Sequence, residues 1–300
     1  MQSLKSRLLY HVVKHQLAKL AQRNLALPEY RLAREAAATR LFRMPAGVKV
    51  EATKIGGRPG EWLRPEVQDS SGAVLYLHGG AYTGGSCITH RALAARLALA
   101  SKHSVFNLAY RLAPEHPFPA ALDDAIAAYV GLQIAHPGAH IAIAGDSAGA
   151  GLALSLAVSL REQGQRSPVA MALMSPWTDL ALAHETHRTK SAVDPYFPTT
   201  ERLQVAARHY AGDTPLHHPL VSPHYAELDR LPPALIHVGT QEALLDDSLM
   251  LAMRMNAQGS TAAVKEFPGM WHVWQALGGR MREADQSVHE LGTFLRSYLV

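Results

Sequence analysis

A single cysteine in 300 residues leaves no partner for an internal disulfide. The fold therefore does not depend on an oxidising compartment. That residue, Cys87, follows Gly84, Gly85 and Ser86 and reads as a loop thiol rather than a nucleophile. Long apolar runs are also missing, and none reaches the roughly 18 residues needed to span a bilayer. The N-terminus has no unbroken apolar centre and no small-residue cleavage site, so it does not read as a signal peptide. There is little excess of charge: net +4, with no basic stripe, so a nucleic-acid partner is not expected. No internal repeat and no low-complexity tract is found. These absences predict a cytoplasmic protein with no stable membrane insertion.

What is present is apolar residue in quantity, 48% of the chain, ample for a buried core. Residues 1–45 read as two helices broken near Pro28 and ended near Pro45. Leu4, Leu8, Val12, Val13, Leu17 and Leu20 are spaced like one helical face, among Lys5, Arg7, Lys14 and Lys19. A helix covering its own protein explains the pattern, although basic amphipathic helices also lie on membrane surfaces. Short strand-like pieces follow at 48–53 and 61–63. Strands are then expected at 73–77, 105–110, 141–144, 169–174, 234–238 and 262–267. Helices are expected between and after them, at 89–101, 119–135, 147–163, 244–258 and 279–299. Such alternation implies an α/β fold with a mostly parallel sheet and helices on both faces. Residues 176–230 break the rhythm, with one expected helix at 200–210. The expected organisation is a helical cap segment at 1–45 and a catalytic domain at 46–300, with a cap insertion at about 180–225. The cap would lie over the sheet's carboxyl edge, where ligands bind in such folds.

The strongest chemical signal is Gly145-Asp146-Ser147-Ala148-Gly149, a G-x-S-x-G pentapeptide between an expected strand and an expected helix. A sharp strand-to-helix turn exposes the serine, and flanking glycines avoid a Cβ clash. The second signal is His78-Gly79-Gly80-Ala81 at the end of another strand. Acyl transfer needs N–H donors aimed at an oxyanion, and Gly79, Gly80 and Ala148 are the candidates. For the base, His272 stands in a loop after the last strand, whereas His209, His217, His218 and His224 lie in the insertion and His237 within a strand. Glu242, just after strand 234–238, is the first candidate for the orienting acid; Asp246 and Asp247 remain alternatives. The order serine, acid, histidine is that of α/β hydrolases. Neither His217 with His218 nor His184 with His187 has an acidic or cysteine partner at ligand spacing, so no metal is expected.

Taken together these segments resemble the hormone-sensitive-lipase-like esterases, the bacterial family IV carboxylesterases. The resemblance covers about residues 70–275. It rests on His78-Gly79-Gly80-Ala81-Tyr82, on the run Tyr110-Arg111-Leu112-Ala113-Pro114-Glu115-His116-Pro117-Phe118-Pro119-Ala120, and on the serine pentapeptide. Ser175-Pro176-Trp177-Thr178-Asp179, Leu231-Pro232-Pro233 and the Glu242 and His272 segments add to it. It implies the α/β-hydrolase fold, an eight-stranded, mostly parallel sheet with an N-terminal helical cap. With the residues above, the expectation is a serine esterase with Ser147, Glu242 and His272 as triad and no cofactor, acting on a small-molecule ester whose acyl chain the expected cap limits to short or medium length. Two departures stand out: Ala81 replaces a third glycine but keeps its N–H, and Glu242 stands where the family more often has Asp. A hormone-receptor branch of the family lacks the histidine, and His272 argues against it. A binding protein on the same scaffold, an amidase or a lipase remain as alternatives, and a homodimer is open.

Overall fold

The computed structural model describes residues 2–69, 72–197 and 199–300. Met1, Ser70, Ser71 and Pro198, two of which fall in the expected cap segments, lie outside the described residues. Eight strands form one sheet in the order β1-β2-β4-β3-β5-β6-β7-β8. They are β1 (Val48–Ile55), β2 (Arg58–Pro65), β3 (Gly72–Leu77), β4 (Ser104–Leu108), β5 (His140–Asp146), β6 (Met171–Met174), β7 (Ala234–Gly239) and β8 (Ala262–Phe267). β1 and β2 pair antiparallel, as do β2 and β4, and the remaining pairs are parallel. The expected mostly parallel sheet is thus present.

The central strands are apolar at nearly every position because helices cover both faces. Their side chains alternate. Leu75, Leu77, Ile141 and Ile143 enter one core with α4 (Ala120–Ala135), α5 (Ala148–Glu162) and α8 (Leu245–Ala257). Val74, Tyr76, Ala142 and Ala144 enter the other with α3 (Cys87–Ser101) and α9 (Arg282–Tyr298). Helix α5 is buried on all sides from Ala148 to Leu160, which its apolar, polar-poor sequence allows.

Several boundaries differ from the sequence reading. The two short pieces at 48–53 and 61–63 are a full hairpin, turned by Gly56 and Gly57 at φ 56° and 76°. Both turn residues need positive φ, which glycine adopts freely. The inserted region contains α6 (Glu185–Thr189) besides the expected α7 (Glu201–Ala211). Cys87 is not a loop residue but opens α3, capped by Ser86. Its thiol donates to the Asn107 carbonyl at 3.2 Å, and burial pushes it up to about 12, leaving little thiolate.

At the N-terminus α1 (Leu4–Gln22) and α2 (Leu27–Leu41) form as expected, with Pro28 in the first turn of α2, where a missing N–H breaks nothing. The apolar face of α1 is divided, however. Leu9, Tyr10, Val13 and Leu17 pack against Phe267, Trp271 and Trp274, while Leu4, Leu8 and Val12 stay exposed.

Candidate active site

Ser147 lies in the turn between β5 and α5, at φ 54° and ψ −125°. A non-glycine residue in that region carries strain of about 1–3 kcal/mol and persists only where its surroundings hold it. They do so here through the backbone. The Ser147 N–H donates to the Met174 carbonyl at 2.8 Å, and its own carbonyl accepts from the Trp177 N–H at 3.0 Å. The turn is tight enough that a Cβ on Gly149 would lie 2.0 Å from the Leu77 carbonyl oxygen, and one on Gly145 2.6 Å from the Gly149 oxygen. Both flanking glycines are therefore steric requirements.

Three side chains from three strand ends converge. His272, five residues past β8, has Nε2 2.8 Å from Ser147 Oγ and Nδ1 3.1 Å from Glu242 Oε2. Glu242 follows β7 and is fully buried, while Ser147 is 4% and His272 2% exposed. Its second oxygen accepts from the Gly239 N–H at 2.6 Å and the Ser175 hydroxyl at 2.8 Å. Every lone pair so used fixes the carboxylate's orientation toward the imidazole. Burial works against a charge on His272, but hydrogen bonding and charge from Glu242, then the charges of Asp194 and Asp146, outweigh it. The net effect raises His272 above its ordinary 6.5.

The alternatives for acid and base are elsewhere. Asp246 accepts from the Thr186 N–H at 3.0 Å. Asp247 accepts from the Thr178 and Asp179 N–H groups and faces His187 Nε2 at 2.5 Å. His237 is buried within β7, bonded to Ser287, and burial lowers it to about 4. His209 and His217 are exposed, and His218 and His224 are half-buried in the insertion. Among the described residues no group of three or more His, Cys, Asp or Glu is arranged to hold a metal.

The loop after β3 requires one correction. The Gly79 N–H, expected to face an oxyanion, donates instead to Asp146 Oδ1 at 3.0 Å. A Cβ on Gly79 would sit 2.2 Å from Asp146 Oδ2, so glycine is needed there for close packing. Asp146 also accepts from the Tyr76 hydroxyl at 2.6 Å and faces His90 Nε2 at 3.2 Å. Burial opposes its charge, yet His90, Tyr76 and Gly79 together hold it below the usual carboxylate range. His78 stacks between Tyr110 and His90, its ring centroid 4.3 Å from the first, and its carbonyl accepts from the Tyr110 hydroxyl at 2.6 Å. Gly80, Ala81 and Tyr82 all have positive φ, and the Gly84 N–H closes the loop on the Gly80 carbonyl at 2.9 Å.

The sequence reading did not single out Asp146, His90 or Asp194, and took Ser175 only as part of a resemblance. Asp194 comes from the insertion and accepts from the Ala243 and Tyr196 N–H groups; burial, opposed by the charge of His272 and aided by that of Glu242, raises it to about 6. No local motif marks it; only the return of residues 190–197 over the site brings it there. The rings of Tyr196 and Phe197 lie edge-on to His272 at 5.7 and 4.8 Å. Tyr82 of the β3 loop stacks on Tyr210 of α7 at 3.6 Å. From α2, Arg31 donates to the Thr83 and Ala113 carbonyls and pairs with Glu115 at 2.8 Å.

Residues 74–276 match a family described as the alpha/beta hydrolase fold. The chain is 40% identical over 248 residues to an acetyl-hydrolase of Streptomyces hygroscopicus, covering 82% of each. It is 35% identical over 260 residues to an esterase of Acinetobacter venetianus, covering 86% of this chain and 85% of that one. A solved hormone-sensitive lipase from a metagenome library superposes with a TM-score of 0.94 at 36% identity over the whole of both chains. EstE5, solved after soaking with p-nitrophenyl butyrate, gives 0.91 at 33% identity over 99% of each chain. By sequence and by fold, the chain belongs to the hormone-sensitive-lipase-like carboxylic-ester hydrolases, within the α/β hydrolases.

Proposed function

We propose that the protein hydrolyses short- to medium-chain acyl esters through an acyl-enzyme on Ser147. His272 removes the hydroxyl proton as Ser147 Oγ attacks the ester carbonyl. Glu242 keeps His272 in the tautomer whose Nε2 accepts, and stabilises the imidazolium that forms. The imidazolium then protonates the leaving alcohol. In the second half, His272 takes a proton from water, hydroxide attacks the acyl carbon, and Ser147 leaves with its proton restored. The observation that carries this reading is the unbroken chain from Ser147 Oγ to His272 at 2.8 Å and on to Glu242 at 3.1 Å.

For the oxyanion the donors are the N–H groups of Gly80, Ala81 and Ala148, Ala81 taking the place first given to Gly79. Gly79, tied to Asp146, locks the loop that presents them. One such donor is worth roughly 3–4 kcal/mol in the transition state. Residues 1–45 with 180–225 form the roof of the pocket, a role supported by the contacts of Arg31, Tyr196, Phe197 and Tyr210 at the carboxyl ends of the strands. A cytoplasmic location accords with the one cysteine.

A fluorophosphonate probe tests the reading. It should label the wild type at Ser147, found by peptide mapping, and leave Ser147→Ala unlabelled. Hydrolysis of p-nitrophenyl butyrate by Ser147→Ala should fall on the order of a millionfold. Activity within tenfold of wild type, or labelling elsewhere, would remove Ser147 as the nucleophile.

A further inference from the structure

We propose that α1 is a docking surface for an anionic lipid membrane, on which the protein lies without inserting a span. The inference is independent of the esterase reading. Its starting point is the division of α1 into two faces. The inner face is satisfied: Val13 is buried, Leu9, Tyr10 and Leu17 pack on the tryptophan cluster, and Ser6 bonds to Glu283. The outer face holds a second apolar row at one-turn spacing, Leu4, Leu8 and Val12, which are 82%, 65% and 39% exposed. Three aliphatic side chains in line on a solvent face add nothing to the stability of an isolated chain.

The charge beside that row is of one sign. Lys5, Arg7, Lys14 and Lys19 all lie on exposed positions of α1, and the helix has no Asp or Glu. Apolar side chains in a row, flanked by cations, are what a helix needs to lie in the headgroup region of an anionic bilayer. A second copy of this face would bring cations against cations, so self-association is disfavoured. No helix among the described residues is long and apolar enough to cross a membrane, which restricts the contact to the surface.

The position of α1 gives the contact a consequence. Tyr10, on the inner face, packs edge-on against Trp271 at 5.6 Å and donates to the Val193 carbonyl at 2.8 Å. Trp271 precedes His272, and Val193 precedes the segment that lays Tyr196 and Phe197 on it. Docking through α1 would therefore set the covered side of the reaction centre toward lipid, the phase in which apolar esters dissolve.

The test is co-sedimentation of the full chain with vesicles of phosphatidylcholine alone and of phosphatidylcholine mixed with phosphatidylglycerol. Wild type should bind the anionic vesicles and not the neutral ones. Salt should release it, since the screening length falls from about 10 Å at 0.1 M to about 3 Å at 1 M. Leu4→Ser/Leu8→Ser and Lys5→Gln/Lys19→Gln should each weaken binding on the order of tenfold. All four residues are exposed, so thermal unfolding should stay at the wild-type value. Leu8→Trp supplies a direct reporter. The four native tryptophans are buried, so a blue shift of its emission on adding anionic vesicles reports the outer face entering the interface. Equal binding to both vesicle types, no binding, or binding unchanged in both double variants would overturn the proposal. So would a fall in native mass by light scattering in Leu4→Ser/Leu8→Ser without lipid, since a second copy would then be the occupant. Loss of ester hydrolysis in wild type would bear on the esterase reading alone.

Discussion

Ser147 was legible because the turn that holds it is made by its neighbours in sequence: two glycines, a strand before and a helix after. His272 and Glu242 were legible by position, each being the first suitable group past a strand end. Asp194 and His90 were not, since each reaches the site from a distant segment and neither sits in a local pattern. The acid assignment can be tested by comparing two carboxylates. Glu242→Gln should lower kcat roughly 10⁴-fold, because the amide cannot stabilise the imidazolium. Asp246→Asn should stay near wild type, as Asp246 bonds to Thr186 and not to His272. The pH profile gives a second readout. The base must be neutral to act, so kcat/KM should fall as pH drops through a His272 value that lies above 6.5. Glu242 and, more weakly, Asp194 favour the charged imidazole. Glu242→Gln should therefore move the acid limb to lower pH, and Asp194→Asn should move it the same way by less. A limb that stays in place in Glu242→Gln would argue against the pair.

Among the elements, those with strong periodicity and clear ends were read closely, and those held by tertiary contact were not. The β5–α5 unit is apolar strand, glycine-flanked turn and apolar helix, so local sequence and burial agree. The β1–β2 hairpin was read as two short pieces because its residues are mixed polar and apolar; what extends it is the pairing of the two strands with each other, from Val48 opposite Pro65 to Ile55 opposite Arg58. Helix α6 has five residues, too few to show a period, and is stabilised by Asp246 accepting from the Thr186 N–H. Helix α2 is similar in kind: it buries only Ala38, and Arg31 ties it to the loops after β3 and β4. Arg31→Ala removes hydrogen bonds to two carbonyls and the pair with half-exposed Glu115. The loss should be about 1–2 kcal/mol, since charge-assisted bonds carry more than neutral ones and exposed pairs little. Limited proteolysis within residues 23–45 should quicken accordingly, and unchanged cleavage would show that α2 is held by other contacts.

For the molecule as a whole, the proposed roof sets which substrates fit. Each methylene buried in an apolar pocket is worth roughly 0.8 kcal/mol until the pocket ends, after which it gains nothing or clashes. Hydrolysis of p-nitrophenyl esters should thus rise from acetyl, peak between butyryl and octanoyl, and fall for long chains. Deleting residues 1–45 should expose the cluster around Phe267, Trp271 and Trp274, lower the unfolding temperature, and disturb that profile. Wild-type stability together with an unchanged profile would mean that these helices do not roof the site.

By itself the sequence determined the alternation of strands and helices, the family, and the order of serine, acid and histidine. These depend on patterns a few residues long, where hydrophobic period and turn chemistry act on neighbouring residues. Only the tertiary structure decided that the Gly79 N–H serves Asp146, that Asp194 lies beside His272 and Glu242, and that α1 keeps an uncovered apolar row. Each of these turns on which groups meet across tens or hundreds of residues. Hydrogen-bond partners and burial are properties of such meetings, and no local pattern encodes them.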